Sequence, residues 1–167
     1  MSFSLIPTNV YKTIYEIDWK ALAQKGVKLV LADLDNTLIP YTQAMPTEAL
    51  HTWKRELNEL GITLFVLSNS RKSRRCPEFC AALDVPYLRH AGKPSTKGFF
   101  KAMEEQNAKP SVTVMLGDQL FTDCLGANRA GVPVYLVKPI EFGNVFRLLR
   151  YAVELPFRGI AKRRNCK

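Results

Sequence analysis

Two histidines and four cysteines are all the imidazole and thiol that 167 residues offer. His51 and His90 stand alone, and Cys76, Cys80, Cys124 and Cys166 show none of the paired C-x-x-C spacings of a zinc site. The cysteines therefore read as reduced thiols, two of them core fillers. Long apolar runs are also missing. Nothing approaches the roughly 18 residues of a membrane span, and the opening MSFSLIPTNVYKTIYEID has neither the basic start nor the apolar run of a secretory signal. The expected setting is cytoplasmic, in solution or peripheral at a membrane. Acid is scarce too: 15 Asp and Glu face 24 Lys and Arg, for a net charge of +9. An excess of this sign favours anionic partners such as phosphate substrates, nucleic acid or acidic lipid headgroups.

The positive charge is unevenly placed. From Lys138 onward eight basic residues face only Glu141 and Glu154, and a second cluster, Arg71-Lys72-Ser73-Arg74-Arg75, sits mid-chain. Aromatic residues are not interleaved in these runs and no nucleic-acid motif is recognisable, which argues against nucleic acid. A basic nucleic-acid- or ribosome-associated binding protein nevertheless stands as the alternative from another class. With 47% hydrophobic residues the chain can bury one sizeable core and is too short for two ordinary domains.

The stretch Val27-Lys28-Leu29-Val30-Leu31-Ala32-Asp33-Leu34-Asp35-Asn36-Thr37 organises the rest. An apolar run that ends in two acids and a turn reads as a buried parallel strand delivering its carboxyl end into a site. Asp33 and Asp35, two apart, point to the same side of an extended backbone, a crowding that a divalent cation or a shared proton would relieve.

Around this strand, residues 5 to 26 read as an extension with one or two short helices, Pro7 and Thr8 opening the first and Asp18 capping the second. A helix over 47–60 is capped by Thr47, carries Leu50, Trp53, Leu57 and Leu60 at helical spacing, and ends at Gly61. Strands follow at 62–67, 85–88, 112–116 and 132–137, separated by helices at about 74–83, 96–106 and 122–130. The alternation predicts an α/β fold, a doubly wound, Rossmann-like parallel sheet with helices on both faces. The core spans about 27–137, between an N-terminal helical extension (1–26) and a basic C-terminal helix and tail (138–167). In such sheets ligands bind outside the carboxyl ends of the strands, where every polar signature falls.

Asp33-Leu34-Asp35-Asn36-Thr37, Ser68-Asn69-Ser70, Lys93 and Gly117-Asp118-Gln119-Leu120-Phe121-Thr122-Asp123, in that order, resemble the four motifs of the haloacid dehalogenase (HAD) superfamily of phosphotransferases. With Leu5-Ile6-Pro7, Lys93-Pro94 and the run from Gly117 to Arg129, the chain is similar to the YqeG-like HAD phosphatases, which are related to the phosphatidylglycerophosphate phosphatases. The resemblance implies that Asp33 is the nucleophile, forming an aspartyl-phosphate, and that Asp35 is the general acid and base. It implies Mg2+ held by the Asp33 carboxylate, the Asp35 main-chain carbonyl and the Asp118 carboxylate, with Ser68, Asn69 and Lys93 on the transferring phosphoryl group. Asp123 then orients a metal-bound water, or instead caps the following helix, and Ser70 is assigned no role.

The stretches between the motifs leave no room for a cap domain. An uncovered site suits a large substrate, or an oligomer whose neighbour acts as a lid. Phosphatidylglycerophosphate is one candidate substrate, its anionic headgroup meeting the basic segments. A soluble nucleotide, sugar phosphate or phosphoprotein is the other. Apolar residues at 142, 145, 146, 149 and 153 share one helical face with basic residues beside it, a pattern of helices that lie in a membrane interface or pack on the core.

Overall fold

A computed structural model describes residues 4–70, 74–143 and 145–165. Six strands, β1 (Asn9–Tyr11), β2 (Leu29–Ala32), β3 (Thr63–Leu67), β4 (Tyr87–Leu88), β5 (Thr113–Gly117) and β6 (Val134–Val137), form one sheet in the order β1-β6-β5-β2-β3-β4. Every pairing is parallel. The most apolar strands sit in the middle: β2 and β5 are buried along their whole length, as strands covered on both faces must be.

Alternate side chains of β2 feed two separate cores. Val30 and Ala32 pack with Leu50, Trp53 and Leu57 of α2 (Glu48–Glu59) and Phe79 of α3 (Arg75–Leu83). Leu29 and Leu31 pack with Phe99 and Met103 of α4 (Lys97–Glu105) and Ala127 of α5 (Leu125–Ala130). The expected doubly wound α/β architecture is thus the observed one. Among the described residues no element forms a cap domain.

The predicted helix over 47–60 is α2. The Thr47 hydroxyl accepts from the Leu50 N–H at 3.3 Å, and the chain leaves the helix through Gly61 at φ 71°, a left-handed conformation that glycine adopts without steric cost.

The N-terminal segment departs from expectation. Where Pro7 and Thr8 were read as opening a helix, Asn9–Tyr11 form β1, a parallel edge strand on β6. The Thr8 N–H donates to the Val134 carbonyl at 2.8 Å, and Tyr11 meets Tyr135 edge-on at 6.0 Å. The edge of β6 offers unpaired backbone groups, and satisfying them outweighs a one-turn helix exposed to water. The second expected helix exists as α1 (Trp19–Gln24), capped by Asp18, which accepts from the Ala21 N–H at 2.8 Å.

At the other end, α6 (Val145–Asn165) runs for 21 residues. Cys76, Cys80 and Cys124 are buried free thiols, as core fillers would be, and Cys166 lies outside the described residues. No described helix is long and apolar enough to cross a membrane.

Candidate active site

From β2 the chain moves outward to β3 and β4, then returns to the other side of β2 as β5. The connections diverge between β2 and β5, which is where doubly wound sheets open a crevice. Ala32 pairs with Leu116, so the residues that follow the two strands emerge side by side. Asp33 and Asp118 therefore meet although 85 positions apart in sequence. One carboxylate oxygen from each of Asp33, Asp118 and Asp123 lies within 4.8 Å of the other two, and all three residues are buried.

Lys93 enters this cluster from the loop before α4. Its Nζ donates to Asp33 Oδ1 at 2.6 Å and sits 2.8 Å from Asp123 Oδ1. With 5% of its surface exposed it is no ordinary surface lysine. Asn69 holds the backbone of that loop at both ends of its amide, donating to the Lys93 carbonyl at 2.9 Å and accepting the Lys93 N–H at 3.0 Å. Ser68 is buried, and its hydroxyl accepts the Ser70 N–H at 3.0 Å. A cavity of about 280 Å³ opens over the cluster, lined by Asp33, Asp35, Asn69 and Lys93 together with Tyr41, Ser70, Gln119 and Thr122. Ser70, given no role from sequence, faces this space. A larger cleft of about 590 Å³ lies between residues 12–15, 37–40 and 137–140. It holds no acidic side chain, so the chemistry belongs to the smaller cavity.

Asp33 and Asp35 open onto the same cavity, although Asp35 stands beyond the strand proper. The strand ends at Ala32 and Asn36 takes φ 63°, so the alternation of an extended chain no longer applies at position 35. The Asp35 carboxylate pairs with Arg75. Arg75 also donates through Nε to the Gln43 carbonyl at 2.8 Å and through a terminal nitrogen to the Pro40 carbonyl at 2.7 Å. Arg75, a member of the mid-chain basic cluster, is buried and holds the loop after β2.

Asp123 does not cap the following helix, α5, whose N-cap is Cys124. It sits in a single π-type turn, Leu120–Cys124, a distortion often found at functional sites. Its Oδ2 accepts the Gln119 N–H at 3.1 Å. Gly117 makes room for it, since a Cβ there would lie 2.4 Å from that oxygen.

Helix α6 supplies partners that motif reading missed. Arg158 donates to the main-chain carbonyls of Asp118 and, at 3.0 Å, Val137. It pairs with Glu154 at 3.1 Å, and Glu154 accepts the Leu120 N–H at 3.2 Å. Arg150 donates to Gln119 Oε1 at 2.9 Å and lies 3.9 Å from Asp118 Oδ2. The spacing of Arg150, Glu154 and Arg158, four residues apart, was the available signal: opposite charges one turn apart on a helix face.

Burial pushes the Asp33 carboxyl up to about 6, with Asp123 adding to the rise and Lys93 opposing it. Asp118 is raised well above the carboxylate range, first by burial and then by the charges of Asp123 and Asp33. Burial disfavours the Lys93 charge, but Asp123 and Asp33 more than offset it and its pKa rises. Both carboxylate oxygens of Asp118 are buried without a hydrogen-bond partner among the described residues, a costly state for an anion. Three buried carboxylates around one ammonium, all oxygen donors, fit a hard divalent cation better than a soft one.

A family model described as mitochondrial PGP phosphatase matches residues 2–141. The probable phosphatase YqeG of Bacillus subtilis is 36% identical over 141 residues, covering 84% of this chain and 81% of the relative. Phosphatidylglycerophosphate phosphatase 1 of Arabidopsis thaliana is 28% identical over 145 residues, covering 82% of this chain; the match spans 42% of that protein's length. Among solved structures, the cobalt-bound deoxy-D-mannose-octulosonate 8-phosphate phosphatase of Haemophilus influenzae superposes with a TM-score of 0.54 at 17% identity, over 82% of this chain and 92% of that one. That likeness shows the fold. With the acid cluster at the switch point and the family match over most of its length, the chain belongs to the PGP phosphatase family of HAD phosphatases and is a phosphoric monoester hydrolase.

Proposed function

We propose that the protein is a magnesium-dependent phosphatase that works through a phospho-aspartate on Asp33 and acts on a lipid monoester of the phosphatidylglycerophosphate kind. The observation that carries the reading is the meeting of Asp118 and Asp123 with Asp33 and Lys93, the latter two lining one cavity. The activity named for the Arabidopsis relative supports the choice of substrate.

A phosphate monoester is an anion that must be attacked by another anion. Lys93, held against Asp33, the Ser68 hydroxyl and the main-chain amide of Asn69 neutralise the phosphoryl oxygens as charge moves onto them. An Asp33 oxygen attacks phosphorus, the ester P–O bond breaks, and Asp35 gives its proton to the departing alkoxide. Water then passes a proton to Asp35 and attacks phosphorus, the bond to the Asp33 oxygen breaks, and inorganic phosphate leaves. The Asp33 and Asp118 carboxylates and the Asp35 main-chain carbonyl would hold Mg2+, whose charge offsets the repulsion between nucleophile and substrate. Asp123 positions Lys93. Arg75, braced by two carbonyls, keeps Asp35 at the cavity wall.

A magnesium-dependent phosphate-release assay tests this reading. Asp33→Asn is expected to lose roughly three orders of magnitude or more while folding normally, the scale seen when a covalent nucleophile is removed, and EDTA to abolish wild-type turnover. Detergent-dispersed phosphatidylglycerophosphate should be turned over with a kcat/KM well above that of nucleotides, sugar phosphates or a phosphoprotein. A soluble ester that outruns the lipid would reassign the substrate, and turnover retained in Asp33→Asn would remove the mechanism.

A further inference from the structure

Helix α6 has two unlike sides. One is occupied: Arg150, Glu154 and Arg158 fasten it to the loop after β5, and Ala161 is buried. Across the helix, Phe146, Leu149, Val153 and Ile160 are 83%, 58%, 59% and 41% exposed, flanked by Leu148 and Leu155. Monomeric proteins rarely leave a continuous apolar face of this kind open to water without using it.

Charge and position indicate what covers it. The helix carries one acid, Glu154, and that carboxylate is buried against Arg158. The sequence beyond the apolar arc adds Lys162, Arg163, Arg164 and Lys167. An apolar face followed in sequence by a basic run, on a helix whose one acid is buried, suits an anionic lipid surface, where both the hydrophobic and the coulombic contributions are favourable. The same helix borders the catalytic cavity. The Arg147 guanidinium lies 4.4 Å from the centre of the Tyr41 ring and Arg150 donates to Gln119, and Tyr41 and Gln119 both line the cavity.

We propose that α6 is an interfacial docking helix whose outer face seats in the headgroup region of an anionic bilayer, bringing the catalytic cavity to the lipid plane. The proposal rests on the lipid-monoester reading and adds to it the surface by which the enzyme reaches its substrate.

The test is cosedimentation of the full chain with vesicles of phosphatidylcholine alone or mixed with phosphatidylglycerol, at low and high salt. Wild type should sediment with the mixed vesicles at low salt and be released by salt. The triple variant F146E/L149E/V153E should bind at least about tenfold more weakly, given the apolar burial forfeited at three sites. The variant's hydrolysis of a soluble monoester should equal that of wild type, which separates loss of docking from loss of catalysis. Val153→Gln alone, a milder change, should give an intermediate partition. Failure of wild type to bind mixed vesicles at low salt, or equal binding by the triple variant, would overturn the proposal. So would sedimentation velocity showing a wild-type dimer that the variant abolishes without any vesicle binding, which would assign the face to a second copy of the chain.

Discussion

At the scale of single residues the site is governed by buried charge. The folded state holds a proton on Asp33 up to about pH 6, whereas an unfolded aspartic acid gives it up near pH 4. Between those values the folded form binds more protons, so metal-free stability should fall as pH rises through the window. Asp118, whose pKa burial also raises, adds to the fall. The measurement is the urea midpoint in EDTA of wild type against Asp33→Asn, in which the other carboxylates largely cancel. We expect the wild type to lose more stability than the variant between about pH 4 and pH 7, and magnesium to restore more at the higher pH. Parallel pH profiles would show that Asp33 is not the strained carboxyl.

Arg75 makes a second case. Replacing it with Met would leave the Asp35 carboxylate and the carbonyls of Pro40 and Gln43 without their donor. A cost of about 1–3 kcal/mol, the range for leaving buried hydrogen-bonding groups unpaired, is expected in denaturant melts, together with a fall in kcat. That Asp33, Lys93, Asp118 and Asp123 would converge was legible from the order of the motifs and the family resemblance they carry. The inward role of Arg75 was not, because a guanidinium beside other basic residues reads as surface until its acceptors, more than 30 residues away in sequence, are known.

At the scale of elements, α6 fastens the loop that carries Asp118 although it begins beyond the residues matched by the family model. Arg158 and Glu154 hold the backbone of Asp118 and Leu120 from behind. Replacing Arg158 with Met should weaken magnesium binding by roughly 10- to 100-fold, the effect common for partners that orient metal ligands. Titration of the metal by calorimetry would measure it, and an unchanged affinity would limit Arg158 to packing. Gly117→Ala should have a similar outcome from another direction, since the added methyl collides with Asp123. The strong strands and α2 were readable because their apolar residues repeat at the right period and their caps are in place. For α6 the same rule left two readings open, interface or core, and the structure turns the apolar stripe at 145, 146, 149 and 153 to solvent, while the face toward the core is fastened by charged residues. Periodicity finds apolar sides, and here the buried side is polar. Strand β1 escaped for a different reason, being three half-buried residues whose pairing is decided by a partner far along the chain.

At the scale of the molecule the +9 charge divides into groups with different tasks. Lys93, Arg75 and Arg158 are internal, so the surface available for steering an anionic substrate is smaller than the composition suggests. Association with a charged substrate surface should still weaken with ionic strength. Turnover of lipid monoester in anionic vesicles should therefore fall more steeply between about 0.05 and 0.3 M salt than turnover of a small soluble ester. Equal salt profiles would mean that the outer charge plays no part in reaching the substrate.

The pairing of β1 with β6 bears on how the chain is made. Among the described strands β1 pairs only with β6, near residue 135, so during synthesis it waits, unpaired, while β2 to β5 are made. Translation halted before Val134 would yield a nascent polypeptide with β1 still loose, open to proteases and to chaperones, however well the strands between had already folded.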